Sequence, residues 1–465
     1  TGGSNLAVGH KALTSSTTAS NNTAVGRDAM RDTTSGTQNA ALGTAALYTN
    51  STGHNNTAIG FQTLALSTTA SNNSALGFDA LKVNTTGHSN TAIGSSALDA
   101  NTTANKGTAV GAYALSGNTT GGSNTAVGYS AMGANSTGNY NVAMGQDALN
   151  SNTTASNNVS VGFRSSMVNT TGANNVVMGF FALNQNTTAN DNTAIGSYAL
   201  TANTTGSQNT AVGANALDSN TTGSPNTAVG AQCLAAATTG VYNTALGYQA
   251  LDALTTQSFN VAIGSGALGA SNQSANTAIG HNAAHNASSA ANLVCIGTDA
   301  GNAITTGSNN TIVGRNAGTS ITTGTNNSFL GAGAGSGAAN STSNEVILGN
   351  SSISTLRCQT QTISGLSDQR DKTAIEDLIV GLDFINTLKP RKFTWAMREP
   401  SANDGKTQTG FIAQELQESV GENEYLNLVD SYNDETLHSN MGNLIPVMIK
   451  AIQELSAEVQ TLKAA

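Results

Sequence analysis

The densest group of residues able to do chemistry lies between Ser364 and Lys372, which reads Ser-Gly-Leu-Ser-Asp-Gln-Arg-Asp-Lys. Within it, Ser367, Asp368, Arg370 and Lys372 bring a hydroxyl, a carboxylate, a guanidinium and an amine close together. A peptide bond is cut only where a nucleophile is positioned and activated, and a serine hydroxyl needs a base to take its proton. Lys372, five residues on, can be that base if its ammonium is desolvated or held near a second cation such as Arg370, since either favours the neutral amine. Asp368 and Arg370 would then shape the turn or the charge around the pair. The same residues have a second reading, in which Ser367 and Asp368 cap a following helix. Spacing alone favours the cap.

The elements that must position these residues belong to a segment unlike the rest of the chain. Of 465 residues only 9% are charged and 4% aromatic, and 51 are Gly. From Ser367 to Ala465 there are 9 Lys/Arg and 16 Asp/Glu, which is 25 of the chain's 43 charges. Trp395 and three of the four Pro residues (Pro390, Pro400, Pro446) also fall there. Two differently built modules therefore meet near residue 360: a body at 1–349, a connector at 350–366 and a terminal module at 367–465. The net charge of −9 divides into −7 for the module and −2 for the body, with no cluster of Lys or Arg. That distribution lacks the electrostatic footprint of a nucleic-acid binder. No run of 18 apolar residues exists to cross a membrane as a helix. The chain opens at Thr1 inside a repeat and without an initiator Met, as expected of a piece of something longer.

The body repeats every seventeen residues. A motif close to Asn-Thr-Ala-Val-Gly ends on a Gly at 9, 26, 43 and onward to 264 in unbroken steps of 17, then at 280, 297, 314, 331 and 349. Twenty-one units are visible. The residue before each Gly is large and apolar (Val8, Val25, Leu42, Ile59, through Leu348), and the one before that is usually Ala. A second apolar pair follows the Gly, as in Ala12-Leu13, Ala97-Leu98 and Ala182-Leu183. Short alternating runs between turn residues predict strands, two per unit. The connecting Asn-Thr-Thr-Gly, as at Asn84 to Gly87, suits left-handed backbone. One coil would bury one large aliphatic residue, one Leu or Met and two Ala, too little to offset the ordering of seventeen residues. Stacking must supply the rest, giving a rod of parallel strands on the order of 100 Å long. The Ala column beside an aliphatic column suggests close approach of a second backbone, hence several rolls around one axis. Towards the end the Ala slot becomes Cys295, Ile312, Phe329 and Ile347, so the packing, and with it the cross-section, is expected to change after about residue 290.

Other reactive residue types in the body have plain explanations. Cys233 and Cys295 sit in Ala slots as small core residues. With Cys358 the cysteines are three and far apart, which excludes a disulfide framework and a Cys-x-x-Cys metal site. His281 and His285 have helical ligand spacing but lie in a coil and lack a carboxylate partner. The Asn-Thr-Thr sequons are turns the coil needs, and no catalytic Ser/Asp/His set or pair of acids stands out.

The Asn-Thr-Ala-Ile-Gly coils resemble the head repeats of trimeric autotransporter adhesins, left-handed parallel β-rolls packed as trimers, and similar shafts in phage fibres. This resemblance covers residues 1–349 and specifies architecture better than function.

In the terminal module, Thr373 to Leu378 opens a helical pattern continued by Leu382, Ile385 and Leu388 before Pro390. Arg391 to Trp395 alternates as a strand, and Gly410 to Leu416 opens another helix, an α+β reading. Ile445, Met448, Ile452, Leu455, Val459 and Leu462, spaced 3, 4, 3, 4, 3, form the seam of a coiled coil or the inner face of an amphipathic helix on its own domain. Four ordered motifs stand out: Ser367-Asp368-x-Arg370-x-Lys372; Leu388-Lys389-Pro390 with Phe393; Gly410-Phe411-Ile412-Ala413-Gln414-Glu415-Leu416; and Ile449-Lys450-Ala451-Ile452-Gln453-Glu454-Leu455. Together they closely resemble the C-terminal intramolecular chaperone domain of phage endosialidases and other tail spikes, a self-cleaving module also found in a family of eukaryotic membrane-bound transcription factors. Where that family has a Tyr ahead of the last helix, this chain has Met441-Gly442-Asn443.

The resemblance implies that Ser367 is the nucleophile, Lys372 the general base, Asp368 and Arg370 their support, and Leu366–Ser367 the bond cut. It implies a mainly β chain: a parallel β-solenoid shaft, trimeric, followed by a small α+β chaperone. The function implied is the shaft of a homotrimeric phage tail fibre or spike for host attachment. Its enzyme activity is a single autoproteolytic cut, and its partner is a host receptor, either a glycan or an outer-membrane component. No cofactor, metal, nucleic acid or membrane insertion is expected, and the protein is expected in the virion after assembly in the bacterial cytoplasm. The alternatives are a bacterial cell-surface trimeric adhesin carrying the same chaperone, or a fragment of a carbohydrate-degrading spike.

Overall fold

Each Thr-Ala-Val-type triplet is rich in β-branched residues and sets a small residue between larger ones, which suits a short strand with one face buried. In the computed structural model, which describes residues 2–353, 357, 367, 369–396, 405–433 and 436–464, these triplets form twenty-one strands, β1 (Leu6–Val8) to β21 (Val346–Leu348). Each pairs with the next in parallel, residue for residue one coil on, as in Leu6↔Thr23, Ala7↔Ala24 and Val8↔Val25. The body is thus one solenoid with a single 21-stranded sheet. Each coil has one strand, not two. The second apolar pair lies in turns, and its Leu adopts a left-handed backbone, with φ near +52° at Leu98 and Leu115.

The corner after each strand is the register Gly. At Gly26 φ is +137°, and a Cβ there would lie 2.6 Å from the carbonyl carbon of Gly43 in the next coil. Backbone stacks on backbone at this corner, so no side chain fits.

The strand's two faces correct the expected core. The central Ala points inward and is fully buried, as at Ala24, Ala58 and Ala92, opposite the buried Leu column of Leu47, Leu81 and Leu115. The large residue before the Gly points outward and stays half exposed: Val8 52%, Leu42 52%, Leu76 46%, Met144 44%. The Ala column is therefore the lining of its own narrow coil, where the Leu column leaves room for a methyl only. The unpartnered apolar column runs on the other face of the sheet.

Two buried asparagine ladders join the coils. In the first, the backbone N–H and the Nδ2 of Asn39 both donate to Asn22 Oδ1 at 2.9 and 3.1 Å, and Asn39 Nδ2 also donates to Gly53 O at 2.9 Å. In the second, the Asn of the Asn-Thr-Thr turns is stacked, with Asn101 Nδ2 donating to Asn84 Oδ1 at 2.7 Å and Asn135 Nδ2 to Asn118 Oδ1 at 2.7 Å. Asn84 and Gly87 are absent from the left-handed positions, so these residues are not there for backbone freedom. The Asn is buried to bond the next coil, and Gly87 has no Cβ because the Asn84 side chain and the Ala104 carbonyl fill its space.

The apolar interior is not continuous. One cluster runs from Leu13 to Leu149 and another from Val177 to Ala338. Between them Ser160, Ser165 and Ser166 replace two Ala and a Leu, with Ser160 Oγ and Ser165 Oγ 2.7 Å apart and Ser166 Oγ buried without a partner. On the surface of the same coils four rings pack together, Phe163, Phe180, Phe181 and Tyr198. Near the C-terminal end the Leu column gives way to Gly301, Gly318 and Gly335, while the Ala column gains Cys295, Ile312 and Phe329. A Cβ on Gly318 would lie 2.6 Å from Ile312 Cδ1. Volume is exchanged across the coil, and the strands keep pairing one to one through Ile312↔Phe329. The expected change after residue 290 is thus a repacking of the interior rather than a break in the sheet.

The terminal module is a small α/β unit: α1 (Leu382–Thr387), β22 (Arg391–Thr394) antiparallel to β23 (Thr407–Gly410), α2 (Ala413–Val420), a hairpin of β24 (Val429–Asn433) and β25 (Thr436–Ser439), and α3 (Leu444–Ala464). Phe384, Val420, Leu426, Leu428, Leu444 and Val447 form its core. The helix expected from Thr373 is not formed before Leu382. Ala374 has φ +50°, and Leu378 and Val380 both pack on the core, a spacing of two that fits extended chain.

Candidate functional site

Ser367 and Lys372 are brought together by a single short turn. Gln369–Asp371 forms one 3-10 turn, closed by the Lys372 N–H donating to Gln369 O at 3.2 Å. The turn returns the Lys372 side chain to the serine, and Nζ donates to Ser367 Oγ at 2.6 Å. Among the described residues no α-helix precedes Leu382, and Ser367 caps none there. Arg370 lies on the same turn and is exposed; Leu366 and Asp368 lie outside the described residues. The geometry can move a proton between a hydroxyl and an amine, with the amine acting as base only in its neutral form. Both side chains are exposed, so this chain alone does not desolvate the amine.

The chain from Lys372 to Val380 is a strap without helix or strand. Its downstream end is fixed by α1, whose first N–H, that of Leu382, donates to Glu454 Oε2 at 2.7 Å. No side chain local to α1 caps it. The second and third motifs meet through Arg391 on β22 and Glu415 on α2. The guanidinium donates from Nε at 3.0 Å and from Nη2 at 2.6 Å to the two carboxylate oxygens, a bidentate pair. These hydrogen bonds hold the Glu415 carboxyl below its ordinary pKa. Met441, where a Tyr is expected, lines an apolar pocket of about 280 Å³ with Ile385, Leu388, Pro390, Phe411, Leu444 and Met448.

Helix α3 has two apolar faces. Leu444, Val447 and Ala451 are buried in the module, whereas the 3-4 seam is exposed: Ile445 58%, Met448 50%, Ile452 64%, Leu455 49%, Val459 41%, Leu462 77%. The seam is therefore not the face by which the helix packs on its own domain.

In the body, Cys233 and Cys295 are buried in Ala slots, and Cys358 lies outside the described residues. His285 Nδ1 lies 2.7 Å from Gly266 O, so that nitrogen carries the proton and donates. Among the described residues no group of three His, Cys, Asp or Glu is placed to hold a metal ion, and no helix is long and apolar enough to cross a membrane. The motif reading missed Glu454 as a contact. Its only sequence signal was its place in the fourth motif.

Comparison with known proteins gives one match. Residues 367–424 match the model of a peptidase family described as the chaperone of endosialidase. The match begins at Ser367 and ends at Glu424, so β24, β25 and α3 lie beyond it. No curated protein and no solved structure matches the chain. A solenoid body followed by a segment similar to this family fits a tail fibre or spike that carries a C-terminal chaperone, and the family implies self-cleavage of the serine-peptidase kind.

Proposed function

We propose that this chain is the shaft of a homotrimeric phage tail fibre or spike used for host attachment, built by a terminal chaperone that then cuts itself off between Leu366 and Ser367. The observation that carries this reading is the outward apolar column on the sheet. It is partly to half exposed in one chain and repeats once per coil for twenty-one coils, so a surface that covers it along its whole length must have the same pitch. Another copy in parallel has that pitch by construction. The exposed seam of α3 has the spacing of a parallel helical bundle and supports the same assembly.

Because the coils are so alike, a slip of one coil between copies costs little locally, and parallel non-local pairing nucleates slowly. A terminal module that trimerises first sets the register. In the cut, Ser367 Oγ attacks the Leu366 carbonyl carbon while neutral Lys372 Nζ accepts the hydroxyl proton. That proton passes to the Ser367 nitrogen as the Leu366–Ser367 C–N bond breaks, leaving an ester. Water then hydrolyses the ester, giving the Leu366 carboxylate and a free Ser367 amine with its hydroxyl restored. The nucleophile departs with the module, so one turnover is all it performs. Neighbouring copies supply the desolvation that the exposed Lys372 lacks, which places cleavage after assembly. Removing the module leaves the shaft kinetically trapped.

Sedimentation of residues 1–366, released from the full-length protein, tests the assembly: a trimer is expected, and a folded monomer would refute it.

A further inference from the structure

We propose that Glu454 is a positioning residue for self-cleavage, linking the assembly helix α3 to the strap that carries Lys372. The inference rests on the self-cleavage reading above. Glu454 stands one turn beyond buried Ala451 and between exposed Ile452 and Leu455, so it lies where the face held by the module meets the face left for other copies. From there it spans 72 residues of sequence to accept the Leu382 N–H. Its other oxygen lies 3.6 Å from Lys450 Nζ, which aims the carboxylate from its own helix.

The receiving side is shaped for it. Gly381 is the N-cap of α1, with φ −141° and ψ −117° and no capping side chain. A Cβ on Gly381 would lie 2.7 Å from Glu454 Cδ and 2.8 Å from Oε1. The cap that α1 lacks locally therefore comes from α3, and the residue at the contact has no side chain to obstruct it. Leu378 and Val380 hold the strap to the core immediately upstream, and beyond them Lys372 to Asp377 is exposed. When the seam closes between copies, α3 becomes a fixed post, and Glu454 sets where the strap leaves it. The Lys372–Ser367 pair is thereby placed relative to the neighbouring copies that desolvate it. A positioning link of this kind makes the cut depend on α3 being assembled without any contact between Glu454 and the reacting atoms.

The test uses the full-length chain with four variants, E454A, E454Q, G381A and S367A, followed by denaturing gels over time and by light scattering of the uncut protein. Wild type is expected to cut at Leu366–Ser367. E454A and G381A lose the cap of α1, so the module is expected to melt a few degrees lower, yet both are expected to form trimers, and these trimers to cut at least tenfold more slowly. E454Q, which keeps an acceptor oxygen, is expected to recover most of the rate lost in E454A. The rate–pH profile of E454A is expected to keep its midpoint, because the base is displaced and not retitrated. If trimers of E454A or G381A cut at the wild-type rate, the link is refuted while self-cleavage stands. If E454A forms no trimer, G381A and E454Q decide by the same criteria. If wild type does not cut, or S367A does, self-cleavage itself fails and the link with it.

Discussion

Phe329 occupies the space that a side chain on Gly335 would need: a Cβ built on that glycine would lie 2.5 Å from Cδ2 of the ring. In most other coils the two positions are held by Ala and Leu, and Leu accepts the left-handed backbone there, so the pair is one volume distributed in two ways.

Returning this coil to the common arrangement should therefore be less damaging than either half of the change. Phe329→Ala alone should cost about 3 kcal/mol through the cavity it leaves, and Gly335→Leu alone about 2 kcal/mol or more through overpacking. The double variant should recover at least ~2 kcal/mol of the sum. Thermal unfolding of the four proteins measures this, and strict additivity would contradict the exchange.

The second asparagine ladder has two loose ends. Asn50 Oδ1 and Asn220 Oδ1 are buried without partners because the next coil offers Ser67 and Ala237 in place of Asn, and Ser67 Oγ is unpartnered too. Ser67→Asn should join Asn50 to Asn84 and raise stability by about 1 kcal/mol. A lowered unfolding temperature would show that the ladder geometry does not pass through that coil.

Burial pushes the Cys233 thiol up to about 11 and the Cys295 thiol up to about 12 from an ordinary 9.0. Both keep their protons in the folded chain, so any stability they contribute is full below pH 9 and is lost as pH rises towards 11 to 12. In a Cys358→Ser background at pH 8, neither thiol should react with a thiolate-selective reagent until the shaft is unfolded. Rapid labelling of the native protein would mean that the coil interior is open.

A charge on the outward apolar column should separate copies without disturbing the coil. Met178→Glu and Ile195→Glu lie on the exposed face, so circular dichroism should keep its β signature while sedimentation reports loss of the trimer. Trimers of unchanged stability would place the interface elsewhere.

Ser367→Ala and Lys372→Ala should each leave the chain uncut yet assembled, since neither side chain is in the core. Gel electrophoresis with N-terminal sequencing of the small fragment reads the outcome in wild type, whose fragment should begin at Ser367. A fragment beginning elsewhere would exclude the pair.

The coil number, the strand before each Gly and the parallel order could be read directly, because a corner like Gly26 excludes every side chain and so marks its own period; the second strand expected in each coil is a turn. Which strand face turns inward could not. Val25 is more apolar than Ala24, and hydrophobicity alone would bury it; the choice is made by the Leu column across the coil, which lies in a turn and not in a second strand. Asn84 looked like a turn former because composition does not distinguish an asparagine that bends the chain from one that bonds the coil above. In the module, Ser367 and Lys372 were legible because one turn joins them. Glu454 and Gly381 were not, since nothing local announces a contact across 72 residues.

The three serines at Ser160, Ser165 and Ser166 give the shaft a mechanical property. A rod whose interior adhesion lapses at one level has lower shear resistance there than on either side, with the ring cluster of Phe163, Phe180, Phe181 and Tyr198 acting as an external splint. Under axial load or heat the fibre should yield at this level, as two lengths that each give way cooperatively. Single-molecule stretching would record two rupture steps, and refilling the slot with Ser166→Leu together with Val177→Ala would merge them into one.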